Sequence, residues 1–147
     1  MNSDWIELLE SLAAHNVEFL VVGAWAMAHH GQPRYTGDLD LFFRPSPTNA
    51  DALLKALRAF GAPTGHLRLD EMATPGLTVT FGVPPTRVDL LNWLSGLTYE
   101  DAESDASKGD LGGVGVRFLS KRALLANKTS AGRPKDLLDT QILSEES

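Results

Sequence analysis

The chain has 147 residues, 43% of them hydrophobic, no cysteine and a formal net charge of −6. That length can bury a real core, and the missing cysteines exclude a disulfide framework or a thiolate metal site. The acidic balance argues against a protein that coats nucleic acid, although Lys121, Arg122, Lys128, Arg133 and Lys135 form a local basic patch.

The first element predicted is a helix from Asp4 to about His15, with Trp5, Leu8, Leu9 and Leu12 at helical spacing. Asp4 and Glu7 resemble a capping box, and Asn16 is the stop. Phe19 to Val22 is a continuous apolar run, as in an interior strand. A short helix over Ala24 to His30 ends at Gly31. Gln32-Pro33-Arg34 then leads into a strand over Leu39 to Phe43. Pro45-Ser46-Pro47-Thr48 starts a third helix, with Leu53, Leu54, Leu57 and Phe60 on one face and its end at Gly61. Ala62 to Gly76 reads as loop. Leu77 to Phe81 and Arg87 to Leu91 form a hairpin turned by Gly82-Val83-Pro84-Pro85. Tyr99 to Ser107 is polar and acidic, helical or irregular. Gly112-Gly113 precedes a strand over Val114 to Leu119, and helices over Lys121 to Ser130 and Pro134 to Leu143 close the chain. No apolar run nears the ~20 residues of a membrane span. Met1-Asn2-Ser3-Asp4-Trp5 has neither the basic nor the apolar region of a signal peptide. One cytoplasmic domain over 1–147, away from membranes, is the expectation.

Alternate side chains of a strand share a face. Asp38 and Asp40 therefore stand together, opposite Leu39, Leu41 and Phe43. Two carboxylates on one face repel unless a cation lies between them, and Mg²⁺ favours carboxylate oxygens shared with substrate phosphates. A third acid, Asp89, interrupts the apolar strand Arg87-Val88-Asp89-Leu90-Leu91. Three carboxylates from two strands could hold two metal ions. Gly23, between strand and helix, lets the backbone approach a phosphate beside free helical N–H groups; taken alone, a tight turn without ligand is the favoured reading. Arg34, just before Thr36 and the acid pair, suits a triphosphate or a surface loop. Lys128, Arg133 and Lys135, beside Asp136, place cations at a helix junction that could neutralise phosphates; alternatively Lys128 suits a helix C-terminus and Asp136 and Asp139 a helix start. His29-His30 diverge on a helix, which argues against a shared metal. Asp101, Glu103 and Asp105 lack the glycine and glutamate of a calcium loop.

Together these residues resemble the polymerase-β-like nucleotidyltransferase superfamily, whose signature is strand, Gly with Gly or Ser, helix, Asp-x-Asp, and a third acid on a later strand. The matching residues are Gly23-Ala24, Asp38-Leu39-Asp40 and Asp89. The run Val22 to Ala26, His30 to Asp40, and the tail Asn127-Lys128 with Ala131 to Asp139 are similar to a small bacterial branch akin to abortive-infection-type toxins. The resemblance spans roughly Val17 to Leu143. It implies an α/β (α+β) fold: a mixed sheet of about five strands flanked by helices. It implies Mg²⁺, or Mn²⁺, held by Asp38, Asp40 and Asp89. The reaction it implies is transfer of a nucleoside monophosphate from an NTP with loss of pyrophosphate. By the same resemblance Gly23 and Ala24 back the triphosphate, with Arg34, Thr36, Lys128, Arg133 and Lys135 around the nucleotide. The acceptor stays open among RNA such as tRNA, a protein and a small molecule, and a cognate antitoxin is a candidate partner. The departure is Ala24, where the family carries Gly or Ser: its N–H remains but there is no hydroxyl. That departure keeps a second reading in view, a weak or inactive module that binds nucleotides or pairs with a protein.

Overall fold

The computed structural model describes residues 1–145; Glu146 and Ser147, the end of the expected domain, lie outside the described residues. The elements in chain order are α1 (Ser3–Ala14), β1 (Phe19–Val22), α2 (Gly23–His29), β2 (Asp38–Phe43), α3 (Pro47–Phe60) and α4 (Leu69–Met72). They continue with β3 (Thr78–Phe81), β4 (Arg87–Leu91), α5 (Tyr99–Glu103), β5 (Ser107–Leu111), β6 (Val114–Phe118), α6 (Lys121–Ala131) and α7 (Pro134–Glu145). Six strands form one mixed sheet in the order β3-β4-β2-β1-β6-β5. The β1/β6 and β2/β4 pairs run parallel and the other three antiparallel.

The apolar pattern explains the layers. Leu39 and Leu41 of β2 and Val88 and Leu90 of β4 point into the core. There they join Leu8, Leu9 and Leu12 of α1 and Leu53 and Leu57 of α3. The opposite, half-buried set of β2 and β4 is Asp38, Asp40, Arg87, Asp89 and Leu91. The sheet thus presents a polar row between two apolar ones. Asn92, fully buried, accepts from the N–H groups of Gly76 and Leu77 and donates to the carbonyls of Met72 and Thr74. This pins the irregular segment before β3 and fixes the β3–β4 edge beside the acids.

Three local expectations change. Helix α1 begins one residue earlier than expected, and Asn2 rather than Asp4 caps it, accepting from the Trp5 N–H at 2.9 Å. The segment 62–76 holds a short helix, α4. The sheet has six strands rather than about five, because Ser107–Leu111 pairs with β6 across Gly112-Gly113. Both glycines have positive φ, 58° and 86°, which is the geometry of a tight two-residue hairpin. The polar Lys108 and Asp110 suit an edge strand and hide its periodicity. No helix among the described residues is long and apolar enough to cross a membrane.

Candidate active site

The register of the parallel β2/β4 pair builds the acid row. Asp38 lies opposite Arg87 and Asp40 opposite Asp89. On the far side, Thr80 of β3 lies opposite Asp89 and donates from Oγ1 to its Oδ1 at 2.6 Å. Asp38, Asp40 and Asp89 therefore meet on one face, as their spacing implies. Arg87, which the sequence reading passed over, sits in the same row. Its guanidinium pairs with both carboxylate oxygens of Asp38 at 2.8 Å and lies 3.7 Å from Asp89. The signal was available: Arg87 is two residues before Asp89 in one strand, hence on its face.

Asp40 is left without a cation of its own. Burial, then a hydrogen bond and charge repulsion from Asp89, then repulsion from Asp38, push its carboxyl up to about 7, with Arg87 opposing weakly. The Asp40 carboxyl is thus only partly ionised at neutral pH. This is a site with more negative charge than it can neutralise internally. Among the described residues no three His, Asp or Glu side chains already converge as a metal cage, and Asp38 is engaged by Arg87. The donor set still fits a hard divalent ion: three carboxylates, of which Asp40 has a raised carboxyl that a cation would help to ionise.

Gly23 opens α2 directly against this row. Its φ is +64°, and a Cβ there would collide with the Asp40 carboxylate. The missing side chain thus makes room for an acid as well as exposing backbone. Val22 pairs with Asp40 across the antiparallel β1/β2 ladder, which fixes that approach.

A cleft of about 190 Å³ adjoins the acids. Gly23, Ala24, Arg34, Thr36, Asp38 and Asp40 line one side; Lys128, Arg133 and Lys135 line the other. Every nucleotide-binding candidate of the sequence reading is therefore in one place. Thr36 is tied to the backbone: Asp38 N–H donates to its Oγ1 at 3.1 Å. The cations come with partners the sequence reading took for helix-start residues. Asp136 and Asp139 are buried at 1% and 2% exposure. Lys128 pairs with Asp139 at 2.9 Å and Asp136 at 3.6 Å. Arg34 reaches Asp139 through both terminal nitrogens at 3.1 and 3.3 Å, and Arg133 reaches Asp136 at 2.5 Å. The Arg133 guanidinium holds the Asp136 carboxyl below its usual range, and burial of Asp139 is outweighed by Lys128 and Arg34. Two buried anions thus anchor three cations at the cleft wall. Lys135 is exposed and has no ion pair among the described residues.

The remaining candidates resolve structurally. His29 stacks on Phe118 and bonds Ser107 Oγ at 2.8 Å, while His30 bonds the Leu119 carbonyl. Glu103 and Asp105 pair with Arg44, Arg117 and Arg122.

The family described as "Nucleotidyl transferase of unknown function (DUF2204)" matches residues 1–145. No curated protein matches significantly. Among solved structures, the crystal structure of ANT(2")-Ia in complex with adenylyl-2"-tobramycin is similar, with a TM-score of 0.59 and 20% identity over 95% of this chain and 84% of that one. At that identity the likeness is one of fold. The family match covers almost the whole chain, and the chain belongs to this nucleotidyl transferase family.

Proposed function

We propose that this nucleotidyltransferase moves a nucleoside monophosphate from an NTP to an acceptor hydroxyl, with Asp38, Asp40 and Asp89 as its metal-binding and catalytic carboxylates. The observation that carries the reading is their convergence on one sheet face beside a cation-walled cleft. In the step proposed, the acceptor oxygen bonds to the α-phosphorus. The bond from that phosphorus to the α–β bridging oxygen breaks, pyrophosphate leaves with its electrons, and the acceptor proton passes to a carboxylate of the row. Mg²⁺ or Mn²⁺ held by the three acids would supply charge neutralisation at the phosphates and acidify the acceptor hydroxyl. Lys135 and the anchored Lys128, Arg34 and Arg133 are placed to bind the triphosphate, with Gly23, Ala24 and Thr36 forming its floor. NTP and Mg²⁺ point to the cytoplasm as the working compartment. A toxin-like role with a cognate antitoxin rests on the sequence resemblance alone.

The test is incubation with each labelled NTP, Mg²⁺ or Mn²⁺, and total cell extract. Label on RNA, protein or a small molecule, lost in Asp38→Asn, is the expected result. In parallel, Mg²⁺ with NTP should raise the melting temperature more than either alone, since a ligand at a hundred times its Kd adds ~2.7 kcal/mol. Equal protection by NTP in EDTA, with no label transferred, would overturn the reading.

A further inference from the structure

The acid row has a neighbour on the same sheet face. Two residues beyond Asp89, about 7 Å along the strand, Leu91 lies between Phe42 of β2 and Thr78 of β3. At that step a groove of about 390 Å³ opens, lined by Thr78, Leu91, Trp93, Leu94, Asn127 and Arg133 among others. That volume lies in the range of small-molecule sites. Trp93 is 44% exposed, and its ring gives the groove a large amphipathic face. Arg133 lines both this groove and the cleft, so the two adjoin at its side chain. The cleft lies on the Gly23 side of Asp40 and the groove on the far side of Asp89. A molecule in the groove would extend toward the acids along β4, past Leu91.

We infer that this groove is the acceptor subsite, and that it takes a hydroxyl-bearing molecule with a flat, uncharged ring stacked on Trp93. The inference rests on the reading of the acid row as the transfer site. The lining decides the class. No Asp or Glu lines the groove, and its charged residue is a guanidinium. With Arg133 already paired to Asp136, the groove offers no anion to hold a polycation such as an aminoglycoside, whereas a neutral ring compound needs none. Trp93 and Leu91 offer the face for stacking, and Thr78 offers a hydroxyl for orientation. Trp93 is then a specificity-determining residue that touches the acceptor and not the donor nucleotide.

The test uses full-length protein labelled with 5-fluorotryptophan, whose three tryptophans give separate fluorine resonances; Trp93→Phe identifies the line from Trp93. The probes are uridine, adenosine and p-nitrophenyl glucoside, with tobramycin as the polycation. Each is added with and without Mg²⁺ and a non-hydrolysable ATP analogue. A saturable shift of the Trp93 line by the ring compounds, retained with the analogue bound and absent with tobramycin, is the expected result. Once an acceptor is labelled, Trp93→Ala should raise its KM about fivefold or more, the scale of a lost ring stack, and leave the NTP KM unchanged. Three results overturn the inference: no ring compound moves the line, tobramycin moves it, or the analogue alone moves it and the ring compounds add nothing. Melting temperature reads the donor site separately. A rise with Mg²⁺ and analogue over an unmoved Trp93 line sinks the groove alone. A moved Trp93 line without that rise keeps the groove and sinks the donor site.

Discussion

Replacing Asp40 with Asn tests the acid row without knowledge of any acceptor. Asn keeps the shape, can donate to Asp89 as the protonated acid does, and never ionises. In the parent, Asp40 is raised from its ordinary 3.8 to about 7. A raised carboxyl contributes stability that is fully present below the unfolded value near 3.8. That contribution is lost as pH rises through about 7. The move corresponds to about 4 kcal/mol at its upper bound, reduced by whatever solvent and Arg87 recover. At pH 8.5 in EDTA the parent therefore carries a buried, uncompensated charge, and Asp40→Asn should be more stable by about 1–4 kcal/mol. At pH 5 the folded parent keeps its proton but the unfolded chain has lost it, so the difference should be clearly smaller, and near pH 3 the two proteins should unfold together. The assay is urea denaturation at these pH values, in EDTA and in excess Mg²⁺. Added Mg²⁺ should stabilise the parent and leave the variant unmoved. A variant less stable at pH 8.5, or an equal difference at all these pH values, would refute the reasoning. Either result would make Asp40 an ordinary structural carboxylate whose partner the substitution removes.

The remaining predictions concern what surrounds Asp40. Gly23→Ala places a Cβ on the Asp40 carboxylate at φ +64°; it should cost at least about 1–2 kcal/mol for the backbone alone, read by denaturant midpoint, and should also abolish Mg²⁺ binding by calorimetry. Lys128→Ala and Lys135→Ala should separate. The first strips a partner from buried Asp139 and should lower stability by about 1.5–3 kcal/mol along with NTP affinity. The second, having no ion pair among the described residues, should weaken NTP binding about tenfold and leave the urea midpoint unchanged. Arg87→Gln frees Asp38 and removes the guanidinium that neutralises it, so Mg²⁺ affinity without nucleotide should rise several-fold in calorimetric titration; a fall would show that Arg87 supports the metal-binding geometry.

The order of the helices and of the inner strands was legible because their apolar periodicities are strong. Leu8, Leu9 and Leu12 repeat on one helical face, and Leu39 and Leu41 alternate with Asp38 and Asp40. The sixth strand was not, because the inward-facing residues of Ser107-Lys108-Gly109-Asp110 are a serine and a glycine, which leave no apolar alternation to read. Its only signal was the Gly112-Gly113 turn. The N-cap was misplaced by two residues because Asn2 and Asp4 are both competent caps and only backbone geometry chooses between them.

The acid trio was legible for a reason that does not extend to its neutralisation. Strand alternation fixes which side chains share a face, so Asp38 with Asp40, and Asp89 with Arg87, follow from counting residues. Which strands lie side by side does not follow from counting. The parallel β2/β4 register, brought about through the α3 connection and the β3–β4 hairpin, decides that Asp38 meets Arg87 while Asp40 meets Asp89. A slip by two residues would keep every apolar side chain inside and would pair Asp40 with the guanidinium instead. The unequal fate of the two acids, Asp38 ion-paired and Asp40 with its carboxyl raised, is therefore a property of the register. The same holds at the cleft wall, where Asp136 and Asp139 look in sequence like ordinary acids near a helix start. They become anchors because α7 turns them inward, onto Lys128 of α6 and Arg34 of the loop before β2. In both places the sequence names the charges, and long-range packing decides which of them remain free to act on a substrate.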